Sequence, residues 1–425
     1  MKKEYKIQMY FKDKWHYYIM ITWAVIWYTA LCMVRTFSLS RPDTSTYQIS
    51  SIGELSWIHR MPGYQLISLF FYNLGGGSYE NADKYIIIFQ ICMAIIGSLF
   101  LYDALLKYLH SIKWALFFGN CNMMIIAMFG YSDVLLTESL AVSVMCILIW
   151  IMVQAVETRK SRYFVLLSVL SFCGTMIRPS FIFSFPCLMI FFVCFYIADD
   201  RKIAFKGLLS LFIVTLIIIA YCKHNESLMG RFCLSDVSYN SELSCLITGD
   251  MYDNPKYPEI TEFIRHELED EDTNSLRKAK NTFHYFGYDV VVDYIKDSQR
   301  LYGIKYINSI KNTVLGTMNQ PIVENASEIG QRGRMVYEAL RVILLPWSFA
   351  SLLFWTLGYL GYIIYCSIKE KRFYYVDFGI VACILSIYIL SSIMLYEATL
   401  QRIAICVIPC TVFLEALIIK HFTEH

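Results

Sequence analysis

The chain has 425 residues, 57% of them hydrophobic and 16% aromatic but only 17% charged, and its mean hydropathy is +0.46. Such a composition is too apolar for an ordinary soluble enzyme and describes an all-α polytopic membrane protein whose surroundings are the lipid bilayer. A formal net charge of +2 lacks the Lys and Arg surplus of a nucleic-acid binder, so no nucleic acid is expected as a partner.

Residues 1–18 carry Lys2, Lys3, Lys6, Lys12 and Lys14 ahead of an apolar run. No small-residue cleavage site follows that run, so it is read as an uncleaved first span. Apolar stretches of about 17 to 25 residues are long enough to cross a bilayer. They are expected at 19–37, 85–101, 114–130, 140–156, 164–177, 181–198, 207–222, 347–366, 378–395 and 403–420, about ten transmembrane helices. Arg178 and Pro179 interrupt the fifth and sixth, which could otherwise form one apolar region.

Lys and Arg accumulate on the cytoplasmic side of membrane proteins. Here they fill alternate connections: Lys107 with Lys113, Arg159 with Lys160 and Arg162, Arg201 with Lys202 and Lys206, and Lys369 with Lys371 and Arg372. Both termini, 1–18 and 421–425, are therefore expected in the cytoplasm. The outer face receives the loop 38–84, the turns at Asp133 to Glu138 and at Arg178, the long segment 223–346, and Arg402. This divides the chain into a transmembrane module at 19–222, a small extracytoplasmic domain at 223–346 and C-terminal transmembrane helices at 347–420.

The first outer loop holds RPDTSTYQISSIGELSWIHRMPGY, which puts Asp43, two arginines and a histidine directly after an apolar span. Asp43 can cap a surface helix whose apolar side includes Tyr47 and Ile52. His59, Arg60 and a Pro-Gly break then lead into a stretch too short to span, which predicts helices lying along the interface. The glycines at 75–77 read as a turn rather than a phosphate loop.

YSDVLLTESL puts Asp133 and Glu138 at the start of the fourth span, where a helix N-terminus favours carboxylates. Arg178 and Arg402, the latter near Glu397, supply cations at the same depth, where each could simply snorkel to the interface. Together the four outer connections have the complement of a lipid phosphate, with arginines for the anion and a carboxylate for a hydroxyl or amine.

In the long segment, PEITEFIRHELEDE reads as an amphipathic helix with Ile260, Phe263, Ile264 and Leu268 on one side, and VVDYIKDSQRLYGIKYINSIKNTV as a second helical stretch. Of the 14 cysteines, twelve fall in or against the spans; Cys233 and Cys245 do not. An oxidising outer side would permit a bridge between these two. Asn225-Glu226-Ser227 and Asn325-Ala326-Ser327 are outward-facing sequons.

In their order and common side, the acid of the first outer loop, the R-x-P-G-Y element, T-E-S-L at 137–140, R-P at 178–179 and the final E-x-x-x-x-R followed by a proline resemble the GT-C superfamily of membrane glycosyltransferases. The nearest in pattern are the protein O-mannosyltransferases and the bacterial aminoarabinose and lipopolysaccharide-sugar transferases. The likeness covers the first seven spans and the last outer turn. It implies a plasma-membrane enzyme, in a bacterium the inner membrane. It further implies transfer of a sugar from a polyprenyl-phosphate donor to an extracytoplasmic glycan, lipid or protein, with inversion. By the same likeness Asp43 would be the general base, with Glu138 or else Asp133 as the second acid. Arg60, Arg178 and Arg402 would hold the departing phosphate, while Tyr47, Tyr64 and Trp57 would stack on sugar or prenyl chain, with His59 beside them. No cofactor is required; a divalent metal between Asp43 and Glu138 is the less favoured alternative. Two rivals stay open: a cell-envelope polysaccharide polymerase or ligase, and a non-enzymatic polyprenyl-lipid or glycolipid transporter or flippase, which would carry its charges near the bilayer midplane on broken helices.

Overall fold

The computed structural model describes residues 14–34, 47–55, 60–129, 132, 135–229, 232–235, 237–269, 275–306, 308, 349–394 and 405–424. All regular structure among them is helical. The bundle contains α1 (Trp15–Val34), a short α2 (Pro62–Leu74), α3 (Tyr79–Leu109), α4 (Ile112–Phe129), α5 (Glu138–Thr158), α6 (Ser161–Ile177), α7 (Ser184–Ala198) and α8 (Arg201–Met229). A smaller helical unit follows, with α9 (Val237–Thr248), α10 (Pro258–Glu269), α11 (Ser275–Phe286) and α12 (Tyr288–Leu301). The bundle is completed by α13 (Phe349–Glu370), α14 (Tyr375–Met394) and α15 (Ile408–Glu424).

Five helices among the described residues are long and apolar enough to cross a membrane: Tyr79–Leu109, Glu138–Thr158, Pro179–Ala198, Arg201–Leu228 and Leu352–Glu370. Ile112–Ala127, Ser161–Ile177 and Tyr375–Ile387 are shorter apolar helices. This is a membrane protein's architecture, with element ends that differ from those expected. The run at 85–101 belongs to a helix of 31 residues, about 46 Å long at 1.5 Å per residue. Its polar ends extend beyond the apolar stretch: Ser78 caps it by accepting from the Asn81 amide, and Lys107 lies in its last turn. The preceding glycines form the expected turn, with Gly76 at φ 69° and Gly77 at φ 81°, which a side chain would strain.

Helix α5 is buried along nearly its whole length, as an all-round apolar helix must be when neighbours cover every face. It packs against α3, α6 and α15. At the crossing with α3 a Cβ on Gly97 would come within 3.0 Å of the Ser143 Cα, so a small residue sets how closely these two helices approach. The fifth and sixth expected spans are separate elements. Pro179 disfavours a helical Arg178, which is extended (φ −143°, ψ 119°). The chain then turns through a 3-10 segment, Pro179–Phe183, into α7.

One end of the bundle gathers the Lys- and Arg-rich connections. Asp103 near the end of α3 accepts from Tyr17 Oη (2.8 Å) and Trp150 Nε1 (2.7 Å) and pairs with Lys107 at 2.6 Å. Arg159 after α5 pairs with Asp199 after α7 at 2.9 Å. Tyr108 and Tyr359 both donate to the buried Asp377 at the start of α14, the latter at 2.6 Å.

The unit from α9 to α12 has its own core of Leu243, Leu246, Ile247, Met251, Ile260, Ile264, Ala279, Phe283, Val291, Val292, Tyr294 and Ile295. Ile260 and Ile264 of the expected amphipathic helix point into it; Phe263 stacks on Tyr285 with ring centroids 4.9 Å apart, and Leu268 packs at the edge. Two expectations for this region are corrected. The seventh span runs on to Met229, so Asn225 belongs to α8 rather than to an outer loop. Asn225 is fully buried and its amide donates to the carbonyls of Cys233 (3.0 Å) and Leu234 (3.2 Å), an arrangement that leaves no room for a glycan. Cys233 and Cys245 are not bridged: Cys245 is buried and Cys233 lies in the connection after α8. Asn325 lies outside the described residues.

Candidate functional site

Opposite the Lys- and Arg-rich end, the start of α5 meets the end of α6. Glu138 opens α5, where the unpaired helix amides favour a carboxylate. The extended backbone that Pro179 imposes turns Arg178 inward, and its Nη1 lies 3.0 Å from Glu138 Oε2. The Glu138 side chain is 0% exposed and that of Arg178 10%. Arg178 also donates from Nη1 to Thr137 Oγ1 and from Nε to Ser180 Oγ, both at 3.0 Å. Thr137 Oγ1 donates in turn to Glu138 Oε2 at 3.3 Å. A buried ion pair survives only with such supporting bonds, because each charge has lost its water. Arg178, expected as a phosphate clamp, is thus tied first to Glu138.

Cys406, in the 3-10 turn Ile405–Val407 before α15, lies close enough to Arg178, Glu138 and Ser180 to feel all three. The described start of the C-terminal segment therefore reaches the same place as the start of α5 and the end of α6.

The described residues 47–55 and 60–74 pack beside this end. Arg60 sits over the Tyr47 ring at 4.8 Å, within cation–π range. Tyr47 meets Tyr64 edge-on at 4.9 Å. Tyr64 is 1% exposed and donates to Gln90 Oε1 at 2.6 Å, and Gln90 Nε2 donates to the Ser132 carbonyl at 3.3 Å. The Ser132 hydroxyl bonds with those of Ser139 (3.0 Å) and Tyr28 (3.4 Å). Glu138 and Asp83 both lie near enough to act on Tyr64 electrostatically. Beside Tyr47, Gln48 donates from Nε2 to both oxygens of Asp83 at 3.0 Å, and Glu54 takes the Ser50 amide (2.8 Å) and hydroxyl (2.5 Å), which hold its carboxyl below its usual range.

Helix α2 is seated by a close contact: a Cβ on Gly63 would fall 2.6 Å from the Met176 carbonyl oxygen. Its thirteen residues extend about 20 Å, less than the hydrocarbon thickness. Tyr64, Gln65 and Ser68 face inward, while Leu66, Phe70 and Leu74 are exposed. Polar residues toward the protein and apolar ones away from it give α2 one apolar outward face.

Five of the expected site residues, Tyr47, Arg60, Tyr64, Glu138 and Arg178, thus converge from three separate parts of the chain. Asp43, His59, Asp133 and Arg402, with Trp57 and Glu397, lie outside the described residues. Among the described residues no three His, Cys, Asp or Glu side chains group to hold a metal ion. Sequence reasoning gave no role to Gln90, Ser132 or Ser180, and took Thr137 and Ser139 only as parts of T-E-S-L. Gln90 had a visible signal, an amide in the middle of the apolar run YIIIFQICM, where an unbonded polar group is costly. Ser132 and Ser180 had none, because hydroxyls are common in membrane helices.

No protein-family model matches the sequence, and a search of curated proteins finds no match.

Proposed function

We propose that this chain is a multi-span membrane glycosyltransferase of GT-C type, with about ten transmembrane helices. In this reading it moves a sugar from a polyprenyl-phosphate donor to an acceptor on the outer face of the plasma membrane. The observation that carries the proposal is the convergence of the R-x-P-G-Y, T-E-S-L and R-P elements at the end of the bundle opposite the Lys- and Arg-rich connections. The positive-inside rule assigns that end to the outer side.

The chemistry divides among these residues as follows. Asp43 is the base that withdraws the acceptor's proton as it attacks the anomeric carbon. It lies four positions before Tyr47, a tether of at most about 14 Å. Arg60 and Arg402 meet the phosphate whose charge grows as it departs, and preplaced cations at that point lower the barrier. Arg402 precedes Cys406, the neighbour of Arg178, by the same chain length. Glu138 holds Arg178 in place and sets the net charge of the pocket floor, while Tyr47 and Tyr64 form an aromatic wall for sugar or prenyl chain. The interfacial α2 gives a lipid-borne donor lateral access.

Purified protein assayed with radiolabelled polyprenyl-phosphate sugars tests the reading. Wild type is expected to turn over and Asp43→Asn to lose nearly all activity. An unimpaired Asp43→Asn removes that residue as the base, and absence of turnover with every donor favours a transporter.

A further inference from the structure

At the Lys- and Arg-rich end, about 27 Å along α3 from Gln90 to Tyr108, a cavity of about 620 Å³ lies between α13 and α15. Its wall is aromatic and apolar, with Phe354, Trp355, Tyr359 and Tyr362 along α13 and Ile418 on α15. Gly358 is what opens it, since a Cβ there would meet nothing within 4 Å. One part of the lining is polar. His421 is ringed by Tyr359, Tyr362 and Tyr374 at centroid distances of 5.9, 5.2 and 6.1 Å, and its Nε2 is 3.9 Å from the buried Asp377.

The mouth is cationic. Lys369 and Glu370 both line it, but Glu370 accepts the Tyr374 hydroxyl at 2.6 Å, whereas Lys369 makes no ion pair among the described residues. The Lys369 ammonium instead lies 5.7 Å from the Tyr365 ring. Lys371 and Arg372 follow directly, so the connection KEKR presents three cations against one acid. An apolar slot that ends beside a surplus of cations is complementary to an amphiphile with a negative headgroup.

We infer that the α13–α15 cavity is a binding site for an anionic phospholipid, with one acyl chain along Gly358 and its phosphate at Lys369. The site is independent of the glycosyltransferase reading, because no residue of it belongs to the Glu138–Arg178 end. A lipid seated there would join α13 to α15, which otherwise touch little beyond the Tyr359–Asp377–His421 cluster.

The test is native mass spectrometry of the full chain, delipidated in mild detergent and titrated with dioleoyl phosphatidylglycerol or dioleoyl phosphatidylcholine, with thermal stability read in parallel. Wild type should retain the anionic lipid about fivefold more tightly, the value of roughly one lysine at a membrane surface. Lys369→Gln, an exposed substitution, should erase the preference while leaving the acyl chain bound. Gly358→Leu fills the cavity without a clash and should lower retention of both lipids. Equal retention of the two lipids by wild type, or undiminished phosphatidylglycerol binding in Gly358→Leu with native elution in gel filtration, overturns the inference. So does thermal protection by inorganic phosphate alone equal to that by the lipid, which would make this a site for the free anion.

Discussion

Removing one member of the Glu138–Arg178 pair should be far more harmful than removing both. The two side chains are nearly or wholly buried and meet at 3.0 Å, so Arg178→Met takes the guanidinium away from the buried Glu138 carboxylate and Glu138→Leu takes the carboxylate away from the buried Arg178 guanidinium. Loss of one partner of a buried pair costs about 3–5 kcal/mol, whereas an apolar replacement of both is often close to neutral. The supporting bonds temper that neutrality. Without Arg178 the hydroxyls of Thr137 and Ser180 each lose a donor, about 1 kcal/mol apiece. The double variant is therefore expected to cost about 2 kcal/mol where the singles sum to about 6–10, a coupling of about 4 kcal/mol or more. The measurement is a double-mutant cycle, with unfolding driven by dodecyl sulfate in mild detergent and followed by far-ultraviolet circular dichroism. Additivity of the two singles to within about 0.5 kcal/mol would refute the reasoning, since it would mean that the charges do not depend on each other.

Two further outcomes test the packing around the site and the small helical domain. Gly63→Ala puts a Cβ 2.6 Å from the Met176 carbonyl oxygen, forcing α2 away from α6 at a cost of about 1–3 kcal/mol. Gly361→Ala, with nothing within 4 Å, is the control; equal effects in the same unfolding assay would show that the close contact does not seat α2. In the small domain, burial raises the Glu242 carboxyl above its ordinary 4.5, against the opposing Gln299 hydrogen bond at 3.3 Å. A raised acid binds its proton more tightly folded than unfolded, so its ionisation erodes stability as pH rises from about 4.5 and the loss persists at neutrality. Glu242→Gln should thus protect the amides of α9 from hydrogen exchange at pH 7 but make no difference near pH 4, after correction for intrinsic rates. Equal protection of the two proteins at both pH values would count against a buried, raised carboxyl.

Helices and their apolar, span-length character were legible in the sequence, because both follow from local composition. An apolar run must bury its backbone polar groups in a helix whatever its neighbours are. Two helices of the long segment, at 258–269 and 288–301, were equally readable, since Ile260, Ile264, Val291 and Ile295 recur at helical spacing and all reach one core; α9 and α11 were not read. Ends were less legible. The polar caps of α3 and α8 extend past their apolar centres, and Asn225 reads as an exposed sequon until α8 is seen to enclose it.

Pairwise geometry was decided by the tertiary structure alone. The sequence placed Glu138, Arg178, Tyr47, Arg60 and Tyr64 on one side of a membrane. It could not tell a cation waiting for phosphate from one bonded to a carboxylate 40 positions away, as Arg178 is to Glu138. That difference rests on the crossing of α5 and α6 and on the turn Pro179 imposes, which are properties of the packed bundle. Gly358 makes the same point at the other end. In sequence it is one more glycine in an apolar helix, and only the separation of α13 from α15 turns its missing Cβ into a cavity beneath Lys369.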